Sequence, residues 1–256
     1  MWCAVCVWLL LAFSGKVGWW RALRARTFGL LCATALLITL NWGTYIYGVA
    51  TGHVLETSLG YFITPLVSVL FGVAVLGERL SALQWFAVAC AAAGMVVLTV
   101  GLGVPPTIAL VLAVTFGAYG LIRKQVDIDP VQGLAVESTL MLPPAVALLF
   151  LAEANGVAAF THGALSRDVL LVAGGAVTAV PLVLFAYGAR RVTLTALGFL
   201  QYVAPTVQCL LGIFVFHETF GRVQAIAFGL IWTALAVFTA DGLRRWWARP
   251  GVGANA

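Results

Sequence analysis

The sequence predicts an all-α integral membrane protein, on the strength of its composition, its spaced apolar runs and an internal repeat. Hydrophobic residues make up 62% of the 256 residues and charged residues 9%, with a mean hydropathy of +1.05. A soluble domain carries about 25% charged residues, so this chain has too few charges to cover a surface that faces water. Lipid is therefore the predicted solvent for most of the surface, and the bilayer is the first expected partner.

The charged residues and the cysteines exclude several kinds of binding site. The formal net charge is +5, but in so apolar a chain the basic residues belong in short cytoplasmic loops, so no nucleic-acid partner is predicted. The five cysteines lie in apolar runs, and the Cys3–Cys6 C-x-x-C pair has no second Cys or His pair nearby. Neither a metal site nor a disulfide framework nor a cofactor is expected.

Nine apolar runs separated by polar residues are predicted to be helices. All but the first approach the roughly 17–25 residues that cross a bilayer. The loops between them are short, which indicates one polytopic membrane domain over residues 1–256. The predicted helices are Met1–Phe13, Thr27–Ala50, Thr57–Leu76, Ala82–Leu102, Pro106–Ile122, Val131–Leu151, Val169–Tyr187, Thr195–Phe216 and Val223–Asp241.

The basic residues predict how these helices are oriented, because cytoplasmic loops are enriched in Lys and Arg. If the loop after the first helix is cytoplasmic, only Arg167 and Arg222 of the 14 basic residues fall outside. The C-terminus is then cytoplasmic, and Trp19, Trp20 and Trp85 lie at inner boundaries, where interfacial aromatic residues are enriched. The inner basic residues are Lys16, Arg21, Arg24, Arg26, Arg79, Arg123, Lys124, Arg190, Arg191, Arg244, Arg245 and Arg249.

An internal repeat aligns the two halves of the chain at a shift of 140 residues without a gap. An odd number of helices separates the copies, so the repeat is inverted, which is a recurring device of transporters. The fifth predicted helix has no partner, so the bundle is expected to have nine transmembrane helices of a full ten (5+5), with one N-terminal helix missing. The first, incomplete repeat is 1–102 and the second is 106–247. The matching pairs include Tyr47 with Tyr187, Pro65 with Pro205, Gly72 with Gly212, Glu78 with Glu218 and Gln84 with Gln224.

Several strings carry a family resemblance, among them Gly52-His53-Val54-Leu55-Glu56, Gly77-Glu78-Arg79-Leu80 and Gly198-Phe199-Leu200-Gln201-Tyr202. They resemble the EamA-type permeases of the drug/metabolite transporter superfamily, and the RarD group in particular. The resemblance implies two inverted five-helix bundles in the bacterial inner membrane that move small metabolites. The RarD group is linked by name to chloramphenicol sensitivity. This sequence departs from the pattern by lacking the first helix, and by Thr64 and His217 where Asn and a small residue are expected.

The repeat also places a candidate substrate cavity around two prolines. Tyr61, Pro65 and Ser68 share a helix face, as do their repeat equivalents. Interrupted helices at matching positions in two halves indicate a binding site; the alternative is that the prolines only shape helix packing. The candidate substrate-binding residues are Asn41, Tyr45, Tyr61, Thr64, Ser68, Gln201, Tyr202, Thr206 and Gln208, and the predicted helix breaks are Pro65, Pro205 and Pro181.

Two carboxylates are candidates for proton or ion coupling. Glu137 is predicted about 9 Å into the sixth helix, and a charge at membrane depth usually has a role. The alternatives are that it pairs with Lys124 or reaches the interface. Glu56, beside His53, is placed near an outer helix end, where a solvated loop position is the competing interpretation. Glu78 and Glu218 flank turns and are interpreted as capping or solvated residues.

Three functions compete at this stage. The leading one is a secondary transporter that moves small organic metabolites or drugs by alternating access. The second is a shortened, transporter-like chain without activity, which the DNA upstream of the start codon would test. A membrane enzyme is least favoured, because no His-Glu-x-x-His motif or other catalytic set occurs. A homodimer remains open.

Overall fold

The computed structural model describes residues 1–15, 18–103, 107–156, 165–215 and 221–247. Every regular element within these ranges is helical. Predictions that fall on Lys16, Pro106, Phe216, His217, Glu218 and Arg249 lie outside the described residues. The helices are α1 (Trp2–Phe13), a 3-10 turn (Trp19–Ala22), α2 (Ala25–Ala50), α3 (Val54–Ala74), α4 (Ala82–Leu102), α5 (Thr107–Gln125), α6 (Pro130–Leu140), α7 (Leu142–Ala154), α8 (Leu165–Ala189), α9 (Leu194–Gln201), α10 (Val203–Phe214) and α11 (Arg222–Trp247).

The helices have the length and composition of membrane spans. Within the described ranges, seven stretches can cross a bilayer, or eight if α6 and α7 form one bent span, whereas α1 has only 12 residues. Their exteriors are apolar, with Phe13 88% and Val100 74% exposed. Such a surface requires lipid as its solvent. The chain is therefore an all-helical, multi-pass membrane protein, as predicted.

Two predicted single helices are each divided in the structure. The predicted span Val131–Leu151 consists of α6 and α7, which meet at Met141 with a bend of 43°. The predicted span Thr195–Phe216 consists of α9 and α10, which are separated at Tyr202. Each division lies just before proline, at Pro143 or Pro205. Proline has no N–H for the carbonyl four residues earlier, and its ring clashes with that carbonyl.

Two of the three predicted helix breaks are wrong. Pro65 lies inside α3 and Pro181 inside α8, and both helices continue through them. One proline removes a single backbone hydrogen bond, and long helices that pack on both sides of it can retain the rest. Near the third proline, Pro205, α9 ends at Gln201, and Tyr202 alone separates it from α10.

The described chain forms two compact units, each built from both predicted repeats. The first unit is Met1–Leu40 with Ile122–Arg191, and the second is Asn41–Leu121 with Val192–Ala256. In the first, α1 packs against α6 and α8, with Val7 and Leu11 buried among Leu134 and Ala179.

The core of the second unit is made by two antiparallel helix pairs, α4 with α11 and α3 with α9. The Ser81 hydroxyl at the start of α4 donates to the Asp241 carboxylate near the end of α11, 3.0 Å away. At the other end of α4, Gly101 lies against Val223 at the start of α11. The midpoint is close-packed, because an added Cβ on Gly94 would lie 2.8 Å from the Ala227 carbonyl oxygen.

Candidate functional site

Several candidate substrate-binding residues lie around the crossing of α3 and α9 in the second unit. A Cβ on Gly198 would lie 2.7 Å from the Pro65 carbonyl oxygen and 3.1 Å from the Ser68 Cβ atom. Glycine therefore lets the backbone of α9 approach that of α3 directly. Close by, the Tyr202 hydroxyl donates to the Phe62 carbonyl, 3.2 Å away. At this crossing, the part of α3 around Pro65, in the first repeat, packs against Gly198 of the second repeat.

Gly198→Ala is expected to destabilise the protein by about 1–3 kcal/mol, because the new methyl group would press on backbone that cannot rotate away. Thermal unfolding of the purified protein in detergent would measure this loss. The matched control is Gly229→Ala in α11, where an added Cβ meets nothing within 4 Å. Equal unfolding temperatures for the two variants would show that the crossing is loosely packed.

Four of the predicted binding residues use their polar groups within the fold. Asn41 donates to the Leu112 carbonyl at 2.8 Å and to the Thr115 hydroxyl at 2.9 Å, which ties α2 to α5. The other three bond to backbone carbonyls, with Thr64 donating to Gly60, Thr206 to Tyr202 and Tyr202 to Phe62.

The other predicted residues here are Tyr45 and Tyr61, whose side chains hydrogen-bond to each other, and Gln201. The Tyr45 and Tyr61 rings contact edge to face, with centroids 6.0 Å apart, and Tyr61 is 43% exposed. Gln201, at the end of α9, has a buried Nε2 atom that donates to no described acceptor. Since buried polar groups are normally paired, Gln201 is the strongest polar candidate. Ser68 is buried against Gly198, and the Gln208 side chain lies outside the described part of the structure.

Glu56 is buried, so the interpretation as a solvated loop position is wrong. Its carboxylate is 6% exposed and accepts from the Thr107 hydroxyl and the Ile108 amide, both at 3.2 Å. These donors stand at the start of α5, where unpaired amides and the helix dipole favour a negative charge. Glu56 therefore connects α3 to the N-terminus of α5.

Glu137 belongs to a buried ion pair in the first unit. Its Oε1 atom accepts from the Thr34 hydroxyl at 2.6 Å and lies 3.4 Å from the Arg123 Nη1 atom, with both charged side chains 2% exposed. The Arg123 guanidinium also donates to the Pro130 carbonyl at 3.1 Å. It lies directly over Gly133, where any Cβ would collide with Nη1. The sequence suggested Lys124 as a possible partner of Glu137 and did not indicate Arg123. Residue spacing reports contacts within one helix, whereas this contact joins two separate helices.

Glu78 caps a helix, as one of its two interpretations predicted, but the helix belongs to the other half of the chain. The carboxylate accepts from the Leu194 amide at 2.6 Å, and from the Thr195 amide and hydroxyl at 2.9 and 2.7 Å. Gly72 leaves room for it, since an added Cβ would lie 2.6 Å from Oε2. The carboxylate thus fixes the N-terminus of α9 against the end of α3.

Among the described residues, no group of three His, Cys, Asp or Glu side chains could hold a metal ion. The fold and these contacts define a multi-pass helical membrane protein with polar residues around the helix crossing at Pro65 and Gly198.

Comparison with known proteins supplies the family. The model of the EamA-like transporter family matches residues 1–100 and 106–240. Protein RarD of Streptomyces exfoliatus is 43% identical over 95% of this chain and 78% of its own length. An uncharacterized transporter of Pseudomonas aeruginosa is 44% identical over 95% of this chain and 83% of its own. The chain belongs to the EamA-like transporter family, and it is a membrane transporter of the drug/metabolite superfamily rather than an enzyme.

Two further similarities complete the comparison. A chloramphenicol-sensitive protein RarD of Pseudomonas aeruginosa is 32% identical over 91% of this chain and 79% of its own length. A solved crystal structure that is 20% identical aligns with 98% of this chain and 87% of its own, with a TM-score of 0.68. The second similarity supports the fold alone.

Proposed function

We propose that this chain is a secondary transporter that moves small organic metabolites or drugs by alternating access between two inverted repeats. The observation that carries the proposal is the pairing of repeat-equivalent helices in the second unit. Helix α4 packs on α11, its equivalent, and the two run antiparallel. Inverted repeats are related by a twofold axis that lies in the membrane plane. Rotation about this axis reverses the direction of a helix, so two equivalent helices that contact each other run antiparallel.

The contact between Tyr202 and Phe62 supports the same symmetry. These residues are equivalents at the shift of 140, and the Tyr202 hydroxyl binds the Phe62 carbonyl. In a twofold arrangement, a residue that contacts its own equivalent lies close to the axis. The family match supports the boundary between the repeats, because its two stretches, 1–100 and 106–240, meet where the repeats 1–102 and 106–247 do.

The proposed transporter has nine spans, with α1 as the first and α6–α7 and α9–α10 as interrupted ones. Its orientation, with a cytoplasmic C-terminus in the bacterial inner membrane, follows from the basic residues. The Arg244 and Arg245 pair ends the last span on that side.

The substrate contacts are assigned to Tyr45, Tyr61 and Gln201. Tyr61 and Gln201 are repeat equivalents, so each half offers one of them close to the proposed axis. Their aromatic faces and amide fit a small organic solute with both apolar and hydrogen-bonding groups. Asn41, Thr64, Tyr202 and Thr206 are assigned to shaping the helices around them.

The test is flux of a panel of metabolites and drugs in liposomes that contain the purified chain, with and without a pH gradient. Gln201→Ala and Tyr61→Ala are expected to lower flux at least tenfold without changing yield, because a site built to bond a substrate loses about that much when a partner is removed. The control is Thr233→Ala in α11, which removes an exposed hydroxyl that bonds only within its own helix. Unchanged flux in both variants would contradict the assigned site, and no flux of any solute by the folded parent would contradict transport.

A further inference from the structure

Two cavities of the first unit meet at Trp19. The apolar cavity has a volume of about 560 Å³ and the polar cavity about 550 Å³, and both are lined by Trp19 and Leu23. Together they form a site that is apolar at one end and charged at the other. The apolar cavity is lined further by Trp8, Trp20, Phe28, Val136 and Leu140. The polar cavity is lined further by Arg24, Thr27, Asp127, Asp129, Gln132 and Arg190.

The indole N–H of Trp19 points to a ligand at the junction of the cavities. Its Nε1 atom is buried, and it donates to no acceptor in the described part of the chain. Buried donors are nearly always paired, so this atom favours a further acceptor, which a bound ligand can supply. An oxygen atom at the boundary between an apolar and a polar group would satisfy it.

The charges of the polar cavity favour a zwitterion over an anion. Two arginines and two aspartates line it, so its formal charge is zero. Arg190 binds Asp127 at 2.9 Å and the carbonyl of Ile128, and Asp129 accepts from the N-terminus of α6. Arg24 has no ion pair with a described residue. One guanidinium therefore stands open to an anionic group, and carboxylates for a cationic group lie beside it.

We propose that the two cavities bind one zwitterionic aminophospholipid of the phosphatidylethanolamine class. An acyl chain fills the apolar cavity, and an ester or phosphate oxygen accepts from the Trp19 indole. The phosphate faces Arg24, and the ammonium faces Asp127 and Asp129. Tryptophan is enriched where a membrane meets water, which fits a headgroup at this depth on the side assigned to the cytoplasm.

The test is native mass spectrometry of the full purified chain titrated with phosphatidylethanolamine and, separately, with phosphatidylglycerol. Trp19→Phe keeps the ring and removes the donor, and Arg24→Gln removes the charge. Each is expected to weaken phosphatidylethanolamine binding about three- to tenfold, as the loss of one hydrogen bond or charge contact would. The matched controls are Trp85→Phe and Arg79→Gln, which change an exposed tryptophan and an exposed arginine of the second unit.

A second measurement separates binding from folding. Phosphatidylethanolamine should raise the unfolding temperature of the parent, because a ligand that binds only the native state stabilises it, and the rise should be smaller for both variants. Unchanged lipid affinity in both variants, or tighter binding of phosphatidylglycerol by the parent, would overturn the proposal. So would displacement of the lipid by a solute that the chain transports, because the cavities would then belong to transport.

Discussion

Glu137→Gln is expected to lower the free energy of unfolding by about 3–5 kcal/mol, the cost of leaving a buried charge without its partner. The Arg123 side chain is 2% exposed and lies 3.4 Å from the Glu137 carboxylate. A neutral amide can keep the bond from the Thr34 hydroxyl but cannot balance this charge. At about 2–4 °C per kcal/mol for a chain of this size, the unfolding temperature in detergent should fall by roughly 6–20 °C.

The double variant Arg123→Met with Glu137→Met controls for the charge. Replacing both members of a buried ion pair by apolar residues is often neutral, so this chain should regain most of the lost stability. If Glu137→Gln unfolds at the parent's temperature, the ion pair does not hold α5 and α6 together. If the double variant is stable and its flux keeps the parent's response to a pH gradient, Glu137 is not the coupling residue.

Glu78→Ala is expected to destabilise the protein by about 2–4 kcal/mol, because three charge-assisted hydrogen bonds to the start of α9 are lost. The Leu194 and Thr195 amides would be left without this acceptor. They stand at a helix N-terminus, where the dipole also favours a carboxylate. Thermal unfolding in detergent, followed by circular dichroism, would measure the change.

Glu78→Gln is the matched variant, since its amide oxygen still accepts a bond but carries no charge. It should lose about half as much stability as Glu78→Ala. Equal stability of both variants and the parent would contradict the capping role. Because Glu78 follows α3 and binds α9, flux should also fall in the alanine variant if the geometry of that crossing matters for transport.

The local pattern of the sequence could predict most of the helices but not their interruptions. Apolar runs of about 20 residues give spans such as α2 and α4 with ends within a few residues of the structure. Pro65 and Pro205 occupy equivalent repeat positions, yet only the helix before Pro205 is divided. A proline lowers the helix propensity equally in both places, and packing decides whether the rest of the helix continues.

The candidate site could be predicted only in part, because the packing of the helices decides which polar side chains are available to a substrate. The sequence placed Tyr61 and Gln201 at matching positions, but it could not distinguish them from Asn41 or Thr64. Those two residues donate to carbonyls of α5 and α3, while the Gln201 amide donates to no acceptor in the described part of the chain. Which polar groups remain for a substrate depends on which neighbours the fold brings within about 3 Å, and sequence spacing does not carry that information.

By itself, the sequence determined the solvent, the all-helical class and the family of this protein, because composition and long apolar runs act over local stretches of chain. The tertiary structure alone decided three contacts between distant segments: Arg123 with Glu137, Glu78 with the start of α9, and the junction of two cavities at Trp19. Each joins separate helices or loops whose approach depends on close packing at particular glycines and side chains.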